Sequence, residues 1–264
     1  MTVQRALRCL RTASFGLLAM LATACGTTTP SAPPPGAMAK VRTLGIISSI
    51  GMTLHYDRVG AGGWDNDFFT TPIAPLGIDP YVVDLVTKQL AGRFDVKPVA
   101  YNPGDFVGSV TADSAQAVAD RIKTSAKPAN LDAYLLIMPG NVTLKTSGNP
   151  FDASAQPVSG MGLTRKSYLT THYYWAHDSY VVVVVDGHSG KVLSETGAPG
   201  GYQKLGLLEF PAMGGPYLEI DDTDWPEDPQ HPSPQIVSKL VAETLKPLLA
   251  QSMGPTLKAA KLIP

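Results

Sequence analysis

Leu131-Asp132-Ala133-Tyr134-Leu135-Leu136-Ile137-Met138, closed by Pro139-Gly140, is a run of strand length that is apolar on almost every side chain. A strand with one wet face alternates apolar and polar residues; a continuous apolar run needs cover on both faces, as in the middle of an α/β sheet. Working outward from it, Ser114 is placed to cap a helix with Ala115, Val118, Ala119 and Ile122 on its buried stripe. Asp95 to Tyr101 reads as a second strand, which Pro98 assigns to an edge or a bulge. Before that, Asp79-Pro80 reads as a helix start, an N-cap carboxylate followed by proline at the first helical position. Val82, Val83, Val86, Leu90 and Phe94 keep to one face and carry this helix to about Phe94. Gly51 to Phe69 reads as a long loop or hairpin region, and Val41 to Ile50 as the first strand. Residues 41–138 thus run strand, helix, strand, helix, strand, the order of an α/β layer.

Downstream, residues 141–170 look irregular or hairpin-like. Tyr173 to Val185 is aromatic and β-branched and reads as one strand, turned by Asp186-Gly187-His188-Ser189-Gly190 into a return strand from Lys191 to Glu195. Residues 199–235 are rich in Gly, Pro and acidic side chains and read as mostly loop. Ser233-Pro234 repeats the cap-then-proline signal. Ile236, Val237, Leu240, Val241, Leu245 and Leu248 then form the apolar side of a last helix, which Pro247 should kink or end. The expected fold is α/β or α+β: a mixed sheet with three to four helices, closing on a C-terminal helix.

The amino terminus has the layout of an export signal. Arg5, Arg8 and Arg11 precede an apolar run from Ala13 to Ala22, too short for a membrane-spanning helix, which needs roughly 20 apolar residues. Leu21-Ala22-Thr23-Ala24-Cys25-Gly26 then places small side chains ahead of a cysteine. Thr27 to Met38 (TTTPSAPPPGAM) has no apolar period and reads as a tether. The expected organisation is a signal peptide over 1–24, an acylated Cys25 and tether over 25–40, and one globular domain over 41–264.

The 264 residues are 44% apolar and 16% charged with a net charge of −1, so a substantial core is available and nothing invites nucleic acid. The only cysteines are Cys9 and Cys25. With the first removed and the second acylated, the domain is expected to hold without a disulfide.

No side-chain pattern matches an active site, and the reading is of a non-enzymatic protein with no cofactor and no metal. His172, His177 and Asp178 suggest a metal site only weakly, because positions five apart on a strand point to opposite faces. Asp221, Asp222, Asp224, Glu227 and Asp228 lack the spacing of a calcium loop and read as a solvated acidic loop. Gly187-His188-Ser189-Gly190-Lys191 resembles a nucleophile elbow or phosphate loop only superficially, since its context is strand–turn–strand. Ser48, His55 and Asp57 follow the first strand, where ligands of α/β sheets bind. They are the one place where a hydrolase with a non-standard site would be sought. Trp64, Phe68, Phe69 and Trp225 are the candidate partner-binding residues, aromatics in loops expected to be exposed.

The Leu21–Gly26 segment resembles the bacterial lipoprotein signal. That resemblance implies diacylglyceryl on the sulfur of Cys25 and a palmitate-type chain on its amino group. Each buried CH₂ contributes about 0.8 kcal/mol, so such chains anchor stably in a lipid bilayer. Gly26, rather than Asp, after the cysteine implies the outer membrane, with the domain facing the periplasm. The apolar strand Leu131–Met138 and the Tyr180–Leu193 hairpin make residues 41–195 similar to envelope lipoproteins with a TolB-N-terminal-like or CsgG-like core. The expected function is a lipid-anchored binding or assembly component of the envelope, engaging an envelope protein or a cell-wall polymer.

Overall fold

The chain enters its fold through a short 3₁₀ turn, Ala37–Lys40, and strand β1, Thr43–Ser48. The computed structural model describes residues 36–60, 66–106, 115–128, 130–143, 157–168, 170–197, 202–205, 208–211 and 217–264. The signal, Cys25, Trp64 and Ser114 therefore lie outside the described residues. The chain separates into two units, Met1–Ser31 and Ala32–Pro264, and everything described belongs to the second.

After β1 come the hairpin strands β2 (Thr53–Val59) and β3 (Asp67–Pro72), then helix α1 (Ile78–Leu90) and β4 (Asp95–Lys97). Helix α2 (Ala115–Ser125) leads to β5 (Ala133–Pro139), followed by β6 (Asn141–Thr143) and β7 (Pro157–Ser159). The chain continues through β8 (Met161–Tyr168), β9 (Thr171–Asp178), β10 (Tyr180–Asp186) and β11 (Val192–Gly197). The short strands β12 (Tyr202–Leu205), β13 (Leu208–Pro211) and β14 (Tyr217–Glu219) precede the C-terminal helix. That helix has two α segments, α3 (Pro234–Leu240) and α4 (Lys246–Ala259), joined by a π turn over Val241–Leu245.

Two mixed five-stranded sheets result: β11-β10-β5-β1-β4 and β14-β9-β8-β2-β3. β5 lies at the centre of the first, parallel to β1 and antiparallel to β10. Its two faces enter different cores. Ala133, Leu135 and Ile137 join α1, the C-terminal helix and the inner face of the second sheet. Tyr134, Leu136 and Met138 pack with Ile122 of α2 and with Ile47, Val183 and Val185. Both faces are covered, which is why the run carries no polar alternation. The Asp132 carboxylate accepts from the amides of Arg42 and Thr43, each at 2.9 Å, and clasps the start of β1 beside that of β5. The α/β class and the closing C-terminal helix are as expected, but the one mixed sheet expected is two mixed sheets of five strands.

Several local expectations change. Tyr173 to Val185 is not one strand: it breaks at Ser179, so that β9 belongs to the second sheet and β10 to the first. The Asp79 carboxylate is not a helix cap. Gly77, left-handed at φ 67°, takes the N-cap position, and Asp79 sits in the first turn with its carboxylate bound elsewhere. α1 stops at Leu90, with Gly92 at φ 83° turning the chain out of the helix before Phe94. Residues 199–235 hold three short strands within what read as loop. β4 is an edge strand, as Pro98 implies, and the Ser233 side chain caps α3 by accepting from the Ile236 amide. The break expected at Pro247 appears as the preceding π turn. Proline has no N–H for the usual bond to the carbonyl four residues back, and the wider turn accommodates the loss.

Candidate functional site

Ser48 ends β1 on the first sheet. Its hydroxyl donates to Asp79 Oδ1 at 2.7 Å and its amide to the Tyr101 hydroxyl at 3.0 Å. Asp79 also accepts from the Gly51 amide at 3.0 Å, and Ser49 donates to the Phe106 carbonyl at 2.9 Å. Burial raises the Asp79 carboxyl, and the bonds from Ser48 and Gly51 pull it back. These buried hydroxyls are committed to tying the end of β1 to α1 and to the loop at Phe106.

His55 and Asp57 lie on β2, in the other sheet. Strand alternation puts Leu54 and Tyr56 in the main core, and His55 and Asp57 on the opposite, outer face. Parallel β8 and antiparallel β9 set the rows across this face. His55, Gly162 and His177 are in register, as are Phe68, Asp57, Thr164 and Trp175. With no side chain at Gly162, the His177 ring lies over it: a Cβ placed there would come within 2.9 Å of His177 Nε2. His177 Nε2 and Asp57 Oδ2 are then 3.9 Å apart, beyond hydrogen-bond reach. Burial pushes the Asp57 carboxyl up to about 7. It pushes the His177 imidazole down to about 3, with the charge of His55 acting the same way. Burial also lowers His55. Among the described residues Asp57 Oδ2, both ring nitrogens of His177 and Trp175 Nε1 have no partner in hydrogen-bond geometry, although the Gly160 backbone acts to raise His177.

The structure thus joins Asp57 and His55 to His177 and leaves Ser48 elsewhere. Among the described residues no hydrogen bond connects Ser48, His55 and Asp57. A nucleophile must lie within hydrogen-bond reach of its base, and Ser48 has only the Asp79 carboxylate there. His172 and His177 do point to opposite faces. His172 is exposed, 2.9 Å from the Ser167 hydroxyl, while His177 is buried. Asp178 is fully buried with both oxygens unpartnered among the described residues, and burial holds its carboxyl well above the ordinary range. Among the described residues no group of three or more His, Cys, Asp and Glu side chains could hold a metal ion. The acidic loop is bound to its surroundings: Asp224 pairs with Lys239 at 3.1 Å, and Asp228 accepts from the Gln230 and His231 amides. Residues 187–190 form a hairpin turn around the Asp186 carboxylate.

The aromatic candidates separate. Trp225 is not an exposed anchor: it is half-buried against the main core, edge-on to Tyr56 with centroids 6.1 Å apart and 5.9 Å from Tyr174. Phe69 is likewise half-buried on the core side of β3. Phe68, its neighbour on the outer face, is 45% exposed, and Leu218 of β14 is 49% exposed. These two mark the opposite edge strands of the second sheet. The sequence reading missed the Asp57–His177 pair. Its signal was alternation, which places His55 with Asp57 and Trp175 with His177 once both segments are read as strands. Neither the protein-family models nor the curated proteins compared with the chain match it.

Proposed function

We propose that the protein is a lipoprotein of the bacterial envelope, held by acyl chains on Cys25, whose folded unit is a non-enzymatic binding or assembly component. The observation that carries this reading is the Leu21–Gly26 segment, small side chains leading into a cysteine, followed by a proline-rich stretch that ends where the fold begins at Ala37. Gly26 favours the outer membrane with the domain toward the periplasm. Exposed Phe68 and Leu218 favour an envelope protein as partner over a cell-wall polymer, since apolar side chains on strand edges match a protein surface. The Ser48 hydroxyl is bonded to Asp79, and among the described residues not to His55 or Asp57, which supports the binding reading over a hydrolase.

The test compares wild type with Cys25→Ser by membrane fractionation, mass spectrometry of the amino-terminal peptide and crosslinking in intact cells. Acyl mass on Cys25, release from the membrane on substitution, and one defined envelope protein crosslinked to wild type are the expected results. Unchanged location and no acyl mass would sink the anchoring. A lipidated protein that crosslinks only to cell-wall polymer would replace the partner class.

A further inference from the structure

The Asp57–His177 pair is buried; among the described residues Asp57 Oδ2 has no hydrogen-bond partner, and the Gly160 backbone, which favours the charged imidazole, is outweighed by burial. The residues are 4% and 1% exposed and their side chains 3.9 Å apart, and among the described residues Asp57 Oδ2 and both imidazole nitrogens have no partner in hydrogen-bond geometry. A buried ion pair holds only with close geometry and additional hydrogen bonds to offset desolvation; here the two groups are out of hydrogen-bond reach, and the Gly160 backbone alone does not offset the burial of His177. We propose that Asp57 and His177 fold as an uncharged acid–imidazole pair, and that the outer face of the second sheet loosens when the Asp57 carboxyl ionises. In the unfolded chain near pH 5 the carboxyl is ionised and the imidazole protonated. Folding then moves one proton from the imidazole to the carboxyl, with no net uptake. The inference does not depend on the lipoprotein reading.

The surroundings fit. Of the titratable side chains that the register places on this face, His55 shares β2, Lys166 lies on β8 opposite Val59, Tyr173 on β9, and Tyr217 and Glu219 on β14; β3 contributes none. His55 stands in the row next to Asp57; burial lowers it, and its charge opposes that of His177. The Arg58–Asp67 ion pair belongs to the reverse face.

The two groups act oppositely on stability. The folded carboxyl, raised to about 7, destabilises progressively as pH rises from about 4 to 7 and fully above that. The folded imidazole, lowered to about 3, destabilises as pH falls from about 6.5 to 3. Their slopes cancel over the shared range, and only the carboxyl's remains near neutrality.

The full chain labelled with ¹⁵N-histidine decides the matter, with His177→Gln identifying the resonance. At pH 6, one protonated and one bare ring nitrogen on His177 are expected; two protonated ring nitrogens overturn the proposal. In parallel, the Tm of wild type minus that of Asp57→Asn should fall by roughly 3–5 °C per pH unit between about pH 4 and 7. A flat difference also overturns it. If Asp57→Asn does not fold, the ¹³C shift of the Asp57 carboxyl carbon in wild type decides: a protonated carboxyl at pH 6 is expected, and an ionised one overturns the proposal.

Discussion

Gly162 shows how one missing side chain shapes a site. A Cβ there would approach the His55 carbonyl oxygen to 2.6 Å and His177 Nε2 to 2.9 Å. The first contact is with backbone on a paired strand and cannot relax cheaply. Gly162→Ala should therefore destabilise the fold by about 1–3 kcal/mol, read from the urea midpoint, and should displace His177 from Asp57. A neutral substitution would mean that the strands of the second sheet shift more freely than their register implies. Tyr180 is a contrasting case. Its buried hydroxyl meets Ser252 at 2.8 Å and Thr256 at 3.0 Å, so a polar group in the main core is satisfied by the C-terminal helix. Asp178, two residues earlier, has no such partners among the described residues.

At the scale of elements, β5 and the C-terminal helix do the most for the fold. Leu136 is fully buried on the α2 side of β5, and Leu136→Ala should cost about 2–5 kcal/mol in chemical denaturation, the range for a core truncation that leaves a cavity. Ser233→Ala removes the side-chain acceptor for the Ile236 amide and should cost about 1 kcal/mol, with faster hydrogen exchange confined to the first turn of α3. Both features were legible in the sequence because their causes are local: an unbroken apolar run, and a cap followed by proline. The division of Tyr173–Val185 between two sheets was not legible. His177-Asp178-Ser179 does interrupt the aromatic and β-branched run, but a short polar interruption does not tell a bulge from a change of sheet; the change is set by which strands receive each half, β8 and β14 for one and β5 and β11 for the other. Asp79 was misread for a similar reason. Its local context suits a cap, but the hydroxyl of Ser48 and the amide of Gly51, some 30 positions earlier in the chain, take its carboxylate. The candidate site was half legible: His55 and Asp57 were singled out, yet their partner is His177, brought across Gly162 by pairings that no local pattern reveals.

At the scale of the molecule, the sheets are interleaved along the chain. The first sheet takes β1, then yields to β2 and β3, resumes with β4 and β5, yields to β8 and β9, and resumes with β10 and β11. No single cut separates them, and both inner faces share one core. Unfolding should therefore be one cooperative transition. Trp175 and Trp225 belong to the second sheet and its inner face, while backbone dichroism reports on all elements. Tryptophan fluorescence and far-UV dichroism should give the same urea midpoint; separate midpoints would show that the sheets melt independently.

The position of β1 also bears on mechanics. The first strand of the fold lies between two parallel neighbours, and its start is held by Asp132. Tension applied from the amino-terminal side of Lys40 runs along this strand. It loads the hydrogen bonds to β4 and β5 in shear, together, instead of peeling them apart one by one.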